Sequence, residues 1–116
     1  MSRIVHADNS EFFRKLMKTF LMELGHESES FARGEAVVDE VKEVNIDIVI
    51  TGMSLADMSG EELIKRLAVS AQALPVIVVT SSDEVKQHKR LEALGVKAVI
   101  QKSGDWKSEL AQQLAD

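Results

Sequence analysis

Three short stretches of this chain carry side chains that could act together on a charged group. "VHADN" supplies an acid and a carboxamide, Asp8 and Asn9; "VVTSS" supplies the hydroxyls of Thr80 and Ser81; "VIQKS" supplies the ammonium of Lys102. A carboxylate can hold a cation, an ammonium can neutralise an anion, and hydroxyls can hydrogen-bond to either. Each group follows directly on an apolar, β-rich run. A fourth run, in "NIDIVITGMSLADMSGEEL" (45–63), breaks the pattern, because it ends on Gly52 and so delivers no side chain. Other chemistries lack their residues. The chain has no cysteine, which excludes a disulfide framework, a thiolate zinc site and a cysteine nucleophile. His6, His26 and His88 show no shared ligand spacing, and no G-x-G-x-x-G loop is present to cradle a phosphate.

The elements that must position these groups alternate between β-rich and amphipathic runs, five times over. "RIVHA" (3–7) predicts the first strand, and Asn9 or Ser10 offers an oxygen to the first free amides of a helix. In that helix Phe13, Met17, Phe20 and Leu24 recur at helical spacing until Gly25 stops it. "HESESFA" (26–32) is a weak, alternately polar strand suited to a sheet edge. Then come a helix over 34–44, a strand over 47–51 and a helix over 60–71. Pro75 opens a strand over 76–80, where its missing donor precedes the ladder. A helix over 83–95, capped by Ser82 or Asp83, a strand over 97–101 and a helix over 105–115 complete the chain. Five such units predict an α/β fold: a flavodoxin-like (βα)5 three-layer sandwich with a parallel sheet in order 2-1-3-4-5, one domain over 1–116. In such a sheet the functional crevice lies beyond the carboxyl ends of the strands, which is where Asp8, Gly52, Thr80 and Lys102 fall.

Four motifs in order, "IVHADNS", "DIVITGMSLADMSGEEL", "PVIVVTSS" and "VIQKS", make the whole chain resemble a receiver domain of two-component response regulators, the CheY-like family. The resemblance implies roles. In the family two acids at the first strand's end hold Mg²⁺, an aspartate at the third strand's end takes a phosphoryl group from a histidine kinase, and a Thr/Ser and a Lys engage that group. A phosphoryl group in transfer spreads negative charge over its oxygens, which the cation and the ammonium neutralise. Asp8 and Asn9 then match the acidic pair and form, with Ser54, a degenerate metal site, while Thr80 and Ser81 match the switch hydroxyls and Lys102 the lysine. The phosphoacceptor position falls on Gly52. Anchoring on the turn glycine of "MSGEEL", Gly60, fixes that register and leaves Asp57 five residues beyond the strand end, out in the loop.

This chain departs from the family at several of these positions. Glycine has no carboxylate and can form no acyl phosphate. Asn9 replaces a charged ligand with a neutral oxygen, leaving Asp8 the only carboxylate, so Mg²⁺ is expected at most weakly and no other cofactor is implied. Lys102 then has Asp8 as its obvious salt-bridge partner. Val99 occupies the family's aromatic-switch position. Ser103 stands where a cis proline is usual, and a non-proline cis bond costs roughly 3 kcal/mol, so a trans bond is expected. Trp106 reads as an anchor of the last helix.

A net charge of −5 and no basic run longer than "HKR" argue against direct nucleic-acid binding. No apolar stretch suits a signal peptide or a membrane span, so a cytoplasmic location is expected. Two functional readings stand. One is a pseudo-receiver, not an enzyme, that binds a histidine kinase, an effector domain or another receiver, or forms a homodimer through the face of its fourth helix, fifth strand and fifth helix. The other is a phosphorylatable receiver in which Gly52 is an engineered substitution or another residue, Ser54 or Asp57, accepts phosphate. Bland roles compete with each site residue: Asp8 and Asn9 as helix caps, Thr80 and Ser81 as turn residues.

Overall fold

A computed structural model describes residues 2–70 and 73–115. Its strands are β1 (Arg3–Ala7), β2 (Glu27–Phe31), β3 (Ile48–Thr51), β4 (Val76–Thr80) and β5 (Ala98–Gln101). Its helices are α1 (Glu11–Glu23), α2 (Gly34–Glu43), α3 (Gly60–Ala68), α4 (Val85–Ala93) and α5 (Trp106–Leu114). The strands form one parallel sheet in the order β2-β1-β3-β4-β5, the flavodoxin-like arrangement.

The sheet is covered on both faces, which is why its central strands are apolar at consecutive positions. β4 is β-branched at every residue and buried at every residue. Its Val76 and Val78 join a core with Val37 and Val41 of α2, Leu63 and Leu67 of α3 and Leu91 of α4. Its Ile77 and Val79 join a second core with Phe13, Met17 and Leu21 of α1 and Trp106 and Leu110 of α5. Trp106 packs its ring 5.1 Å from Phe13 and 5.4 Å from Phe20, tying α5 to α1. β2, whose residues are only partly buried, takes the sheet edge expected of its polar alternation. Gly25 and Gly95, at φ of 89° and 88°, turn the chain out of α1 and α4 in the left-handed conformation that suits glycine.

Several boundaries differ from the sequence reading. α2 stops at Glu43 because Val44 is extended (φ −129°, ψ 142°). α3 ends at Ala68 rather than reaching 71, and residue 71 itself lies outside the described residues. β2 is two residues shorter than expected, β3 and β5 each begin one residue later, and α5 spans Trp106–Leu114 with Asp105 as its cap. The largest correction is at α4. Neither Ser82 nor Asp83 caps it; Glu84 holds the cap position without a side-chain hydrogen bond, and α4 begins at Val85. The Ser82 hydroxyl instead accepts from the Glu84 amide at 3.2 Å, so it shapes the turn ahead of the helix. At α1 the cap is Ser10, whose oxygen accepts from Phe13 N–H at 3.1 Å, and Asn9 makes no cap bond. Among the described residues every peptide bond is trans, Lys102–Ser103 included, and no helix is long and apolar enough to cross a membrane.

Candidate functional site

Three strand ends are each latched to a neighbouring strand by one bond beyond the strand itself. The Gly52 amide donates to Ala7 O at 2.8 Å, Asp8 N–H to Phe31 O at 3.0 Å, and Lys102 N–H to Thr80 O at 2.8 Å. These bonds bring Asp8, Thr80 and Lys102 to one crevice, a cavity of about 390 Å³ that Asn9, Ser54 and Ser81 also line, with Gly52 buried beside Asp8. The rule that chemistry sits at the carboxyl ends of parallel strands accounts for the set.

At the centre is an ion pair. Lys102 Nζ donates to Asp8 Oδ2 at 2.9 Å, while Asp8 Oδ1 accepts from the Ser10 amide at 2.8 Å. Asp8 therefore supports α1 indirectly: it holds the amide of the capping residue instead of capping the helix itself. The pair is well covered, with side-chain exposures of 6% for Asp8 and 24% for Lys102. The Lys102 ammonium also lies 4.0 Å over the Phe13 ring, a contact that steadies a partly desolvated cation. Arg14 donates to the Asp8 carbonyl at 2.8 Å from the first turns of α1.

Gly52 is buried, and the space beside its Cα is taken. A Cβ built there would lie 2.6 Å from Asp8 Oδ2 and 3.2 Å from Asp8 Cγ. The Gly52 carbonyl accepts from the Thr51 hydroxyl at 2.8 Å. Gly60, the residue that anchors the register in sequence, is the spatial neighbour of Gly52: its amide donates to Met53 O at 2.8 Å, and a Cβ at Gly60 would run into the Gly52 carbonyl oxygen.

The hydroxyls are partly spent on the loop. Thr80, almost fully buried, accepts through Oγ1 from Ser82 N–H at 3.1 Å, a turn contact, whereas Ser81 is exposed. His88 Nε2 lies 2.9 Å from Ser82 O and ties the first turn of α4 to the same loop. Val99, on β5, borders a hollow of about 510 Å³ shared with His88 and Asp105, so no aromatic ring fills that position.

Asp57 is outside the crevice. Its carboxylate reaches the amino end of α2 and accepts from Gly34 N–H at 2.7 Å and Glu35 N–H at 3.1 Å, with Arg33 Nε at 3.7 Å. Burial raises its pKa, but the Gly34 and Glu35 amides and Arg33 outweigh it and hold the carboxyl below its ordinary value. Sequence reasoning missed this cap, since the partners are 22 and 23 residues apart.

Gln87 was missed, and the burial of His6 was not read from the sequence. Gln87, on α4, lines the crevice, and its buried Oε1 has no hydrogen-bond partner among the described residues. His6 lies on β1 below Asp8, wholly buried and edge-on to Phe13, with both ring nitrogens unpartnered. Burial pushes it down to about 4; Asp8 pulls the other way, while Lys102 and Arg14 add to the lowering.

For a divalent cation the donor set is small. Asp8 has both oxygens engaged, and among the described residues no group of three or more His, Cys, Asp or Glu side chains gathers anywhere. Hard cations take several oxygen ligands, carboxylates prominent among them, and these residues do not fit that demand. A second cavity, about 440 Å³ beside Arg3, Met22 and Val44, holds none of the strand-end groups and is not where the candidate site lies.

The response regulator receiver domain family matches residues 4–115. Among curated proteins the chain is similar to a protein-glutamate methylesterase/protein-glutamine glutaminase of Bacillus licheniformis, 28% identical over 102 residues, covering 85% of this chain and 28% of that protein. It is also similar to the transcriptional regulatory protein CreB of Escherichia coli, 37% identical over 73 residues, covering 62% of this chain and 32% of that protein. The chain thus spans about a third or less of the length of these relatives. Among solved structures, the receiver domain of the Francisella response regulator 1452 superposes with a TM-score of 0.91 at 18% identity, covering 99% of this chain and 94% of that one. The chemotaxis response regulator CheY4 of Vibrio cholerae gives 0.88 at 20% identity, covering 99% and 97%. At these identities the likeness is one of fold.

Proposed function

The chain belongs to the response regulator receiver domain family, and on that premise we propose that it is a pseudo-receiver, a signalling module that works through protein contacts without aspartate phosphorylation. One observation carries the reading: the residue at the carboxyl end of β3 is Gly52, beside which the nearest side chain is the already paired Asp8. Phosphoryl transfer needs a nucleophile in line with the donor and a cation to balance charge. Position 52 offers no nucleophile, and both oxygens of Asp8 are already engaged.

The alternative acceptors are poorly placed for the task. Asp57 is committed to the first turn of α2. Ser54 is exposed at the rim, and a serine hydroxyl is a weak nucleophile unless a base activates it. The module is not an enzyme in this reading, binds no nucleic acid directly, resides in the cytoplasm and needs no Mg²⁺. Its partners are a histidine kinase, an effector domain or another receiver, with the face of α4, β5 and α5 as the surface for a homodimer or partner. The methylesterase and the transcriptional regulator to which it is similar have different outputs, so the proposal is confined to the receiver-like module.

The test is chemical. The protein is incubated with acetyl phosphate and Mg²⁺, and separately with beryllofluoride and Mg²⁺. No gain in intact mass and no Mg²⁺-dependent change in Trp106 fluorescence are expected. A stoichiometric gain of one phosphoryl group would overturn the reading.

A further inference from the structure

We infer that the crevice is closed from within: the Asp8–Lys102 ion pair stands in for both the absent acceptor carboxylate and the divalent cation, and the bare Cα of Gly52 is the space that lets the pair form. The inference deepens the reading of a crevice without phosphate chemistry. It concerns packing and charge rather than reactivity, so the two can fail separately.

The geometry gives the reason. Of the atoms near a Cβ built on Gly52, the two inside ordinary contact distance are Asp8 Oδ2 at 2.6 Å and Asp8 Cγ at 3.2 Å; the nearest backbone atom, Val79 O, is at an unstrained 3.7 Å. The obstacle is therefore one side chain. That side chain is not free to turn away, because Oδ2 is the atom to which Lys102 donates and Oδ1 is held by the Ser10 amide. Any side chain at position 52 must displace Asp8 and break at least one of these bonds.

Charge points the same way. One buried carboxylate and one ammonium sum to zero, so the crevice has no surplus negative charge to attract a cation. A cation entering between them would have to expel Lys102 from both Asp8 and its seat over Phe13. An acid restored at position 52 would push Asp8 aside and add a second carboxylate beside one lysine. Loss of the acceptor and closure by Asp8 are thus two aspects of one arrangement.

The experiment is a double-mutant cycle read by urea unfolding, with EDTA or with MgCl₂. Gly52 is not among the positive-φ glycines, so exchange for alanine would ordinarily be neutral or stabilising. Gly52→Ala is expected instead to lower the folded-to-unfolded ratio by roughly tenfold or more. The same exchange in a chain carrying Asp8→Ala should have no such penalty, since the obstructing carboxylate is gone. MgCl₂ should leave the midpoint of the parent protein unchanged, whereas Gly52→Asp should be destabilised in EDTA and recover in MgCl₂. The inference is overturned if Gly52→Ala is as stable as the parent, if its penalty persists in the Asp8→Ala background, or if MgCl₂ raises the parent's midpoint. Should Gly52→Ala fail to fold, folding of the Asp8→Ala/Gly52→Ala double variant supports the inference and its failure overturns it.

Discussion

Asp57 sits in the loop after β3, yet its carboxylate accepts from the Gly34 amide at 2.7 Å, at the amino end of α2. Arg33, the residue in the cap position of α2, makes no side-chain cap bond, so Asp57 does that work from 23 residues away. Asp57→Ala should lower the melting temperature at neutral pH, because the Gly34 and Glu35 amides lose their acceptor. The sign of the pH dependence follows from the lowered pKa. The carboxylate's contribution is present above its ordinary value of 3.8 and fades as pH falls through the lower folded value. Melting curves of parent and variant should therefore converge in acid. A gap that stays constant from neutral to acid pH would mean that the charge plays no part.

His6 sets a second acid limit. Its ring is buried, and across the β1–β2 ladder it faces Ser30, whose buried hydroxyl also lacks a partner among the described residues. Burial lowers its pKa from 6.5 to about 4, with Asp8 opposing and Lys102 and Arg14 assisting. The folded state thus favours neutral imidazole. That preference is fully expressed above 6.5 and is lost as pH falls toward 4, by up to about 3 kcal/mol. His6→Leu should flatten this part of the profile in urea unfolding between neutral pH and the acid limb. Equal slopes for parent and variant would assign the acid lability to other groups.

What could be read from the sequence follows from what has a period or a fixed place. "VIVVT" is a buried central strand by composition alone, and the polar alternation of "ESESF" places β2 at the edge. Strand ends are the functional end of a parallel sheet, so Asp8, Gly52, Thr80 and Lys102 could be picked out as strand-end residues before any coordinates. The start of α4 could not, because Ser82 looks like a cap but spends its oxygen on the turn before the helix. Asp57 and Gln87 act across the fold through contacts that carry no local spacing. His6 was legible as a strand residue but its burial was not, for a different reason. In a strand covered on both faces, alternation does not tell an inward polar residue from an outward one.

Lys102 is the cation that neutralises Asp8, and removing it leaves a carboxylate with 6% of its side chain exposed. Breaking one partner of a buried pair typically costs roughly 3–5 kcal/mol. Since Lys102 keeps 24% exposure, water can reach the site, and Lys102→Met should cost about 2 kcal/mol in urea unfolding. Asp8→Asn should be milder, because an amide oxygen can still accept from Lys102 or from Ser10. If the two substitutions are equally costly, hydrogen-bond geometry rather than charge dominates the pair.

Gly60 tests the floor on which the site is built. It opens α3 with Ser59 as cap, the Ser59 hydroxyl accepting from Glu62 N–H at 3.0 Å, so local propensity alone would favour alanine over glycine there. The tertiary contact argues the reverse. A Cβ at Gly60 meets the Gly52 carbonyl oxygen and lies 3.0 Å from Met53 Cα, and both are backbone atoms that cannot rotate aside. Relief would require the loop from Met53 to Ser59 to lift off the end of β3, breaking the 2.8 Å bond from Gly60 N–H to Met53 O. Gly60→Ala should therefore destabilise the protein by about 2 kcal/mol or more, within the range for overpacking against a rigid neighbour. Amide exchange should accelerate first at Gly60 and Asn9, whose N–H groups depend on Met53 O and Ser54 O. Unchanged stability with unchanged exchange at those two amides would show that the loop yields easily, and that the close approach of Gly60 to Gly52 is incidental to the shape of the crevice.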